Sequence, residues 1–244
     1  MMRKGRQVAN DLVVSLFVNP TQFGPNEDFA AYPQKTERDL AMAEAVGVDA
    51  VFMPATGEMY PEGFQTYVDQ SELPDHLCGL SRPGHFRGVL TVVAKLFNII
   101  RPHIAVFGRK DYQQIAIVRQ MVRDLNFDIE IESVPTVREA DGLAMSSRNS
   151  RLEDGQREAA LSLHQALQMA QELVLRGERR SERLIESAGA VIQKYPDASI
   201  DYIKICDAQT LNDAPVVDRP TLMALAVKVG EVRLIDHAIL EPRD

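Results

Sequence analysis

Apolar residues arrive along the first half of this chain in two alternating rhythms. Residues 11–18 (DLVVSLFV) form a continuous apolar run rich in β-branched side chains, as expected of a strand buried on both faces. Pro20 and Gly24 end it, and an acidic loop follows over 25–33. Residues 36–46 switch to helical spacing at Leu40, Ala43 and Val46, with Gly47 as the stop. A second short strand over 48–53 closes at Pro54. Strand, helix, strand in this order predicts a parallel sheet. Residues 54–85 are rich in Pro and Gly, and only 65–69 reads as a minor strand.

The alternation then resumes. Residues 88–100 are apolar nearly all round, which predicts a well-buried helix ended by Pro102. A third strand is expected over 104–107, then a helix over 112–125 with its stripe at Ile115, Val118, Val122 and Leu125, then a fourth strand over 129–134. After the polar loop at 141–151 the texture changes. Ser150 to Glu153 has capping-box spacing and introduces a helix with Ala160, Leu163, Leu167, Ala170 and Val174 on one face. A second helix over 182–194 and three β-like runs, 200–206, 222–229 and 232–240, complete the chain. Gly230-Glu231 between the last two is a hairpin signal. The expectation is an α/β parallel-sheet domain over 1–150 and a small α+β domain over 151–244, helices with an antiparallel sheet.

A hydrophobic share of 45% and a charged share of 25% over 244 residues are those of an ordinary globular chain. The net charge of −8 argues against a broad nucleic-acid-binding face. Arg179-Arg180, set among glutamates, reads as a solvated helix surface. Cys78 and Cys206 lack CxxC spacing, which suggests a reducing compartment, and Cys206 reads as a core thiol. No apolar stretch approaches membrane-spanning length and the first residues lead into no signal-peptide core, so a cytoplasmic protein without a membrane partner is expected.

Two segments carry the chemistry. Residues 107–114 (FGRKDYQQ) lie where the third strand turns into a helix, the place where open parallel sheets bind ligands. Gly108 lets backbone approach a ligand, Lys110 offers a charge for phosphate, and Asp111 suits a hydroxyl or hydrated Mg²⁺. Gln114 sits one helical turn beyond Lys110. In residues 145–149 (MSSRN), the Ser146 and Ser147 hydroxyls and the Arg148 guanidinium suit a polyphosphate. Gln22, in the turn after the first strand, offers an amide to a carboxylate or hydroxyl. His85 and Arg87 in the Gly-rich stretch 82–88 suit either an anion or a helix entry. Taken singly, each segment is equally the signature of a capped helix or a polar turn. The other histidines, 76, 103, 164 and 237, show no metal-ligand spacing, and His164 fits an exposed helix face. No P-loop, G-x-G-x-x-G or G-x-S-x-G is present.

In this order, LFVNPTQFG at 16–24, RPGHFRGVLTVVAKLFN at 82–98, FGRKDYQQ at 107–114 and PTVREADGLAMSSRN at 135–149 closely resemble the pantoate–β-alanine ligase (AMP-forming) family, over essentially the whole chain. The resemblance implies a Rossmann-like nucleotidyltransferase fold of the HIGH superfamily. It also implies two-step chemistry: ATP and Mg²⁺ convert the pantoate carboxylate to an acyl adenylate with loss of pyrophosphate, and the β-alanine amine then displaces AMP. Carried onto this chain, Gln22 and Gln114 would hold pantoate, with Gln22 also near β-alanine. Gly108, Arg109, Lys110, Asp111 and Val137 would line the ATP site. Met145, Ser146, Ser147 and Arg148 look like the family's mobile phosphate loop, with Lys110 and Arg148 stabilising transition-state charge. The family also implies a homodimer. Position 109 is Arg where relatives often have Glu, which adds a phosphate contact or faces water.

One family feature has no counterpart. The H-x-G-H turn, whose histidines bind ATP phosphates, occurs nowhere in the 244 residues. Residues 2–10 instead resemble the tail of the helix after that turn, so the expected parallel sheet is incomplete at its N-terminus. Besides the ligase, two alternatives stay open: a related nucleotidyltransferase activating another acid, and an inactive shortened paralogue acting as a binding or dimerisation partner. Preorganised donors to developing charge are each worth roughly 10²–10³ in rate. The purified 244-residue chain is therefore expected to turn over little; pantothenate formation at the rate of H-x-G-H-bearing relatives would refute this.

Overall fold

The computed structural model describes residues 1–25 and 27–243. Residue 26, within the acidic loop expected over 25–33, lies outside the described residues, as does residue 244. In chain order the elements are α1 (Met2–Val8), β1 (Val13–Ser15), α2 (Thr36–Val46), β2 (Ala50–Phe52), the one-turn helices α3 (Thr56–Met59) and α4 (Cys78–Ser81), α5 (His85–Ile100), β3 (Ile104–Gly108), α6 (Tyr112–Asp124), β4 (Glu130–Val134), α7 (Gln156–Leu175), α8 (Ser181–Ile192), β5 (Ala198–Asp207), β6 (Thr221–Val229) and β7 (Val232–Leu240). They form two compact units. One comprises Met1–Pro74, Arg82–Arg109 and Gln114–Pro135; the other comprises Asp75–Ser81, Lys110–Gln113 and the stretch from Thr136 onward.

In the first unit β1 runs parallel to β2, with Val14 opposite Val51, and β3 runs parallel to β4, with Val106 opposite Glu132. Among the described residues these are two separate ladders rather than one sheet. β1 is shorter than the apolar run suggests, and Val13 is 39% exposed. With Val14 and Ser15 only half-buried as well, the expectation of burial on both faces needs correction; among the described residues β1 also has a hydrogen-bonded neighbour on one edge only. Residues 65–69 form no strand: the Val68 N–H donates to Thr91 Oγ1, and the Arg87 guanidinium lies 4.0 Å from the Tyr67 ring centroid. Side chains there satisfy what a ladder would have satisfied.

α5 supplies much of this unit's core through Phe86, Val89, Leu90, Val93 and Phe97. α1 is tied down by Arg6, which reaches Asp49 Oδ2 at 2.7 Å and Gly47 O at 3.0 Å, while Asp49 also accepts from the Leu12 N–H. The closest backbone approach is at Gly88, on the face of α5 that meets the turn after β1. A Cβ there would lie 2.3 Å from Thr21 O and 2.6 Å from Gln22 N.

In the second unit α7 and α8 pack on an antiparallel sheet ordered β5-β6-β7. The central strand β6 is buried at every position except Lys228. The expected hairpin is present: Val229 pairs with Val232, and Gly230 takes φ +53°. Leu163, Leu167, Leu184, Ile192, Met223 and Leu225 lie in the fully buried centre, and Cys206, opposite Leu222 in the sheet, is fully buried as well. α7 does not start at the capping-box sequence. Residues Ser147–Arg151 form a 3₁₀ turn, Gly155 adopts φ +90°, and the helix begins at Gln156, whose Oε1 accepts from the Glu153 N–H. The left-handed glycine resets the chain direction, so the helix cannot propagate from Ser150. Arg179-Arg180 likewise precede α8 rather than line it; Arg180 pairs with Glu178 at 3.1 Å.

Because the atoms facing Gly88 are backbone, Gly88→Ala must displace α5 from the 20–22 turn and should cost about 1–3 kcal/mol, or several degrees of melting temperature. Gly57→Ala, where nothing lies within 4 Å, is the control expected to melt like the parent. Equal melting of both variants would contradict the close packing.

Candidate active site

Gln22 is held by its surroundings before any ligand arrives. It lies in the 3₁₀ turn Pro20–Gln22, capped by Asn19, whose Oδ1 accepts from the Thr21 hydroxyl at 2.9 Å and from the Tyr60 hydroxyl at 2.8 Å. The Asn19 Nδ2 donates to Gly88 O at 3.0 Å and to Gln22 Oε1 at 3.3 Å. Asn19 is only 3% exposed, so these bonds form out of water, where leaving a donor unpaired costs about 1–3 kcal/mol. With its Oε1 so engaged, Gln22 is oriented to present its amide N–H groups to an acceptor.

The Gln22 main-chain carbonyl accepts from Arg82 Nη2 at 3.2 Å and lies 2.8 Å from His85 Nδ1. Arg82 Nη1 lies 3.1 Å from His85 Nε2. A guanidinium only donates and a carbonyl only accepts, which assigns His85 as the neutral Nδ1–H tautomer. Arg82 also pairs with Glu27 at 2.5 Å. Burial pushes the Glu27 carboxyl up, but hydrogen bonds and charge from Arg82 outweigh it and leave Glu27 below the usual carboxylate range. The stretch 82–88 is thus both a helix entry, with Gly84 at φ +80° before α5, and a clamp on the Gln22 backbone. Arg87 faces Tyr67.

Gly108 ends β3 opposite Val134, and the Arg109 N–H donates to Val134 O at 2.8 Å. The Arg109 Nε donates to Ser133 Oγ at 3.1 Å, which lays this side chain along β4. Gln114 stands half-buried in the first turn of α6.

Lys110 and the polar loop belong to the second unit, and there they meet. Lys110 Nζ donates to the Met145 carbonyl at 3.2 Å, while the Met145 N–H donates to Val137 O at 2.9 Å. Ser146 Oγ accepts from the Arg148 N–H at 3.2 Å and caps the 3₁₀ turn that carries Ser147 and Arg148. Val137 and Met145 are 54% and 55% exposed, an apolar pair on either side of this backbone link. Burial pushes the Lys110 ammonium below its ordinary range; the Asp111 and Asp236 charges oppose that shift, and those of Arg148 and Arg138 add to it. Lys110 and Arg148 thus lie within range of each other's charge, a concentration of positive potential suited to an oligophosphate.

Asn19, Tyr60, Arg82, Arg138 and Asp236 escaped attention in the sequence. Asn19 and Arg82 lie inside the quoted motifs, where a buried capping asparagine looks like any turn residue. Asp236 has no local signal; it lies inside an otherwise ordinary strand. His164 is not on an exposed face. Its ring lies against Gly142, and among the described residues its buried Nδ1 finds no hydrogen-bond partner.

The model of the family described as pantoate–β-alanine ligase matches residues 1–239. The chain belongs to the pantoate–β-alanine ligase family. It is 56% identical over 242 residues to a pantothenate synthetase of Desulfatibacillum aliphaticivorans, covering 99% of this chain and 86% of that protein. A pantothenate synthetase of Geobacter sulfurreducens is 54% identical over 98% of this chain and 85% of its own length. Among solved structures, pantothenate synthetase from Thermus thermophilus superposes with TM-score 0.95 at 42% identity, over 99% of this chain and 87% of that one. The Francisella tularensis ligase, solved with β,γ-ATP and β-alanine, superposes with TM-score 0.79 at 33% identity, over 98% of this chain and 82% of that one. These likenesses carry the ligase family's α/β nucleotidyltransferase fold to this chain, with its parallel strands followed by the small antiparallel sheet.

A lysine with a lowered pKa loses its proton, and its hold on phosphate, at lower pH than an ordinary lysine would. If Lys110 holds the ATP phosphates, affinity for ATP falls as pH rises while still below the usual lysine range, and Lys110→Arg extends binding to higher pH. Superimposable pH profiles for the parent and Lys110→Arg would remove Lys110 from the phosphate contacts.

Proposed function

We propose that this chain performs the family reaction: ATP-dependent activation of D-pantoate and condensation of the acyl adenylate with β-alanine to give pantothenate, AMP and pyrophosphate. The observation that carries this reading is the hydrogen bond from Lys110 to the Met145 carbonyl, which brings the lysine to the Ser-Ser-Arg loop. A carboxylate is a poor electrophile, and its mixed anhydride with AMP is a good one. In the first step a pantoate oxygen attacks the α-phosphorus and pyrophosphate leaves, carrying the displaced P–O electron pair. Lys110 and Arg148 would balance the charge that gathers on the departing phosphates, with Ser146 and Ser147 donating to their oxygens. Val137 and Met145 would cover the nucleoside with apolar surface, and Gly108, Arg109 and Asp111 would line the same nucleotide. In the second step the β-alanine nitrogen attacks the acyl carbon, and AMP departs.

Gln22 and Gln114 would hold pantoate, with Gln22 also near β-alanine. The preset Gln22 amide supports that role, because a neutral donor orients a carboxylate without quenching its nucleophilicity as a full cation would. Mg²⁺ fits as an ion carried on the phosphates of ATP. Among the described residues no group of three or more His, Cys, Asp or Glu could hold a metal, whereas Mg²⁺ commonly binds through one carboxylate plus phosphates, and Asp111 supplies such a carboxylate. A homodimer and a cytoplasmic setting accompany this reading. Among the described residues no helix is long and apolar enough to cross a membrane.

Single-turnover pyrophosphate release, with the chain in excess over ATP, tests the assignment and detects even slow adenylation. Lys110→Ala is expected to slow release about 10²-fold, while Gln22→Ala should raise the pantoate concentration required about tenfold and leave ATP affinity intact. Release that is insensitive to both substitutions, or equally fast with unrelated hydroxy acids, would overturn the reading.

A further inference from the structure

An ion pair with a buried carboxylate joins the 138–144 turn to β7, on residues that the proposed reaction does not use. Asp236, on β7, is 4% exposed and accepts from Arg138 Nη1 at 2.6 Å and Nη2 at 3.0 Å, and from the His237 N–H at 2.9 Å. A two-point fork of this kind fixes the plane of the guanidinium as well as its position. Arg138 Nη1 also donates to Gly142 O at 3.1 Å, within a tight turn. That turn is closed by the Arg138–Ala144 bridge and by bonds from Glu139 N to Leu143 O and from Gly142 N to Glu139 O. His164, on α7, supports the turn from one side: a Cβ on Gly142 would lie 2.5 Å from its Cδ2, and Gly142 itself takes φ +101°. Neither the backbone nor the space admits another residue there.

The turn leads directly into the loop. Met145 follows Ala144, its N–H returning to Val137 O and its carbonyl receiving Lys110. Met145 pairs with Val137 at the open end of this hairpin, so Arg138, which is tied to β7, is next to the pair whose carbonyl receives the Lys110 ammonium. Charge points the same way. Arg138 and Arg148 both act on Lys110 as like charges, and Asp236 acts with Asp111 as the opposing carboxylate.

We propose that Asp236 and Arg138 are positioning residues for ATP: through the 138–144 turn they hold the Met145 carbonyl, and with it the Lys110 ammonium, where the nucleotide phosphates bind. This rests on the assignment of Lys110 to the phosphates. A pair that merely fastened the turn to the sheet would affect melting but not act through Lys110.

A double-mutant cycle separates the two roles. ATP with Mg²⁺ is titrated calorimetrically into the 244-residue chain and into Asp236→Asn, Lys110→Ala and the double variant, at a temperature well below every melting point. Asp236→Asn is expected to weaken ATP binding about tenfold, and to add little once Lys110 is already Ala. Losses that simply multiply in the double variant, or an Asp236→Asn chain that binds ATP like the parent, overturn the proposal. Should Asp236→Asn fail to fold, Arg138→Lys, which keeps the charge and loses the fork, completes the same cycle with Lys110→Ala. If Lys110→Ala by itself leaves ATP affinity unchanged, the phosphate assignment has failed, and the proposal falls with it.

Discussion

The hydrogen bond from the half-buried Lys110 ammonium to the Met145 carbonyl is the interaction around which the second unit's loop is organised. Burial alone drives the Lys110 ammonium toward neutrality, and two arginines push in the same direction. Against them stand Asp111, Asp236 and the carbonyl of Met145. Asp236 itself is a fully engaged carboxylate in a strand of a largely apolar sheet. Burying a charge is costly unless it is paired and hydrogen-bonded, and Asp236 receives two guanidinium donors and one backbone donor.

The first unit meets a different demand, that of orienting a neutral amide. The Gln22 side chain is set by Asn19 and its main chain by Arg82 and His85. The turn that carries it is pressed against α5 at a position where only glycine fits. Orientation here comes from backbone packing, with hydrogen bonds selecting the rotamer. The two arrangements suit the two kinds of group in the proposed reaction, a polyphosphate that needs cations and a carboxylate nucleophile that is better held by amides.

The element order was legible along the chain because burial imposes periodicity. α5, α6 and the β6–β7 hairpin stand close to where apolar spacing and Gly230-Glu231 put them. The exceptions have two causes: a competing local turn, and partners distant in sequence. Ser150 to Glu153 has capping spacing, but Ser150 Oγ donates to Ser147 O within a 3₁₀ turn, and the helix waits for Gly155. Residues 65–69 are extended enough to suggest a strand, but the Val68 N–H and one side of the Tyr67 ring meet side chains of α5. His164 lies on the side of α7 that Gly142 reaches, which no periodicity within α7 could disclose.

By itself the sequence determined the order of most strands and helices, where the polar turns fall, and which residue types stand in them. Those properties follow from hydrophobic spacing and from the backbone preferences of Gly and Pro. Four motifs in a fixed order were enough to point to the ligase family. What tertiary structure alone decided is the company each polar group keeps: that Lys110 finds the Met145 carbonyl, that Asn19 holds Gln22, and that Asp236 in the last strand receives Arg138. Hydrogen-bond partners and local charge depend on distance in space, and residues 138 and 236 are brought to 2.6 Å only when the chain between them has packed.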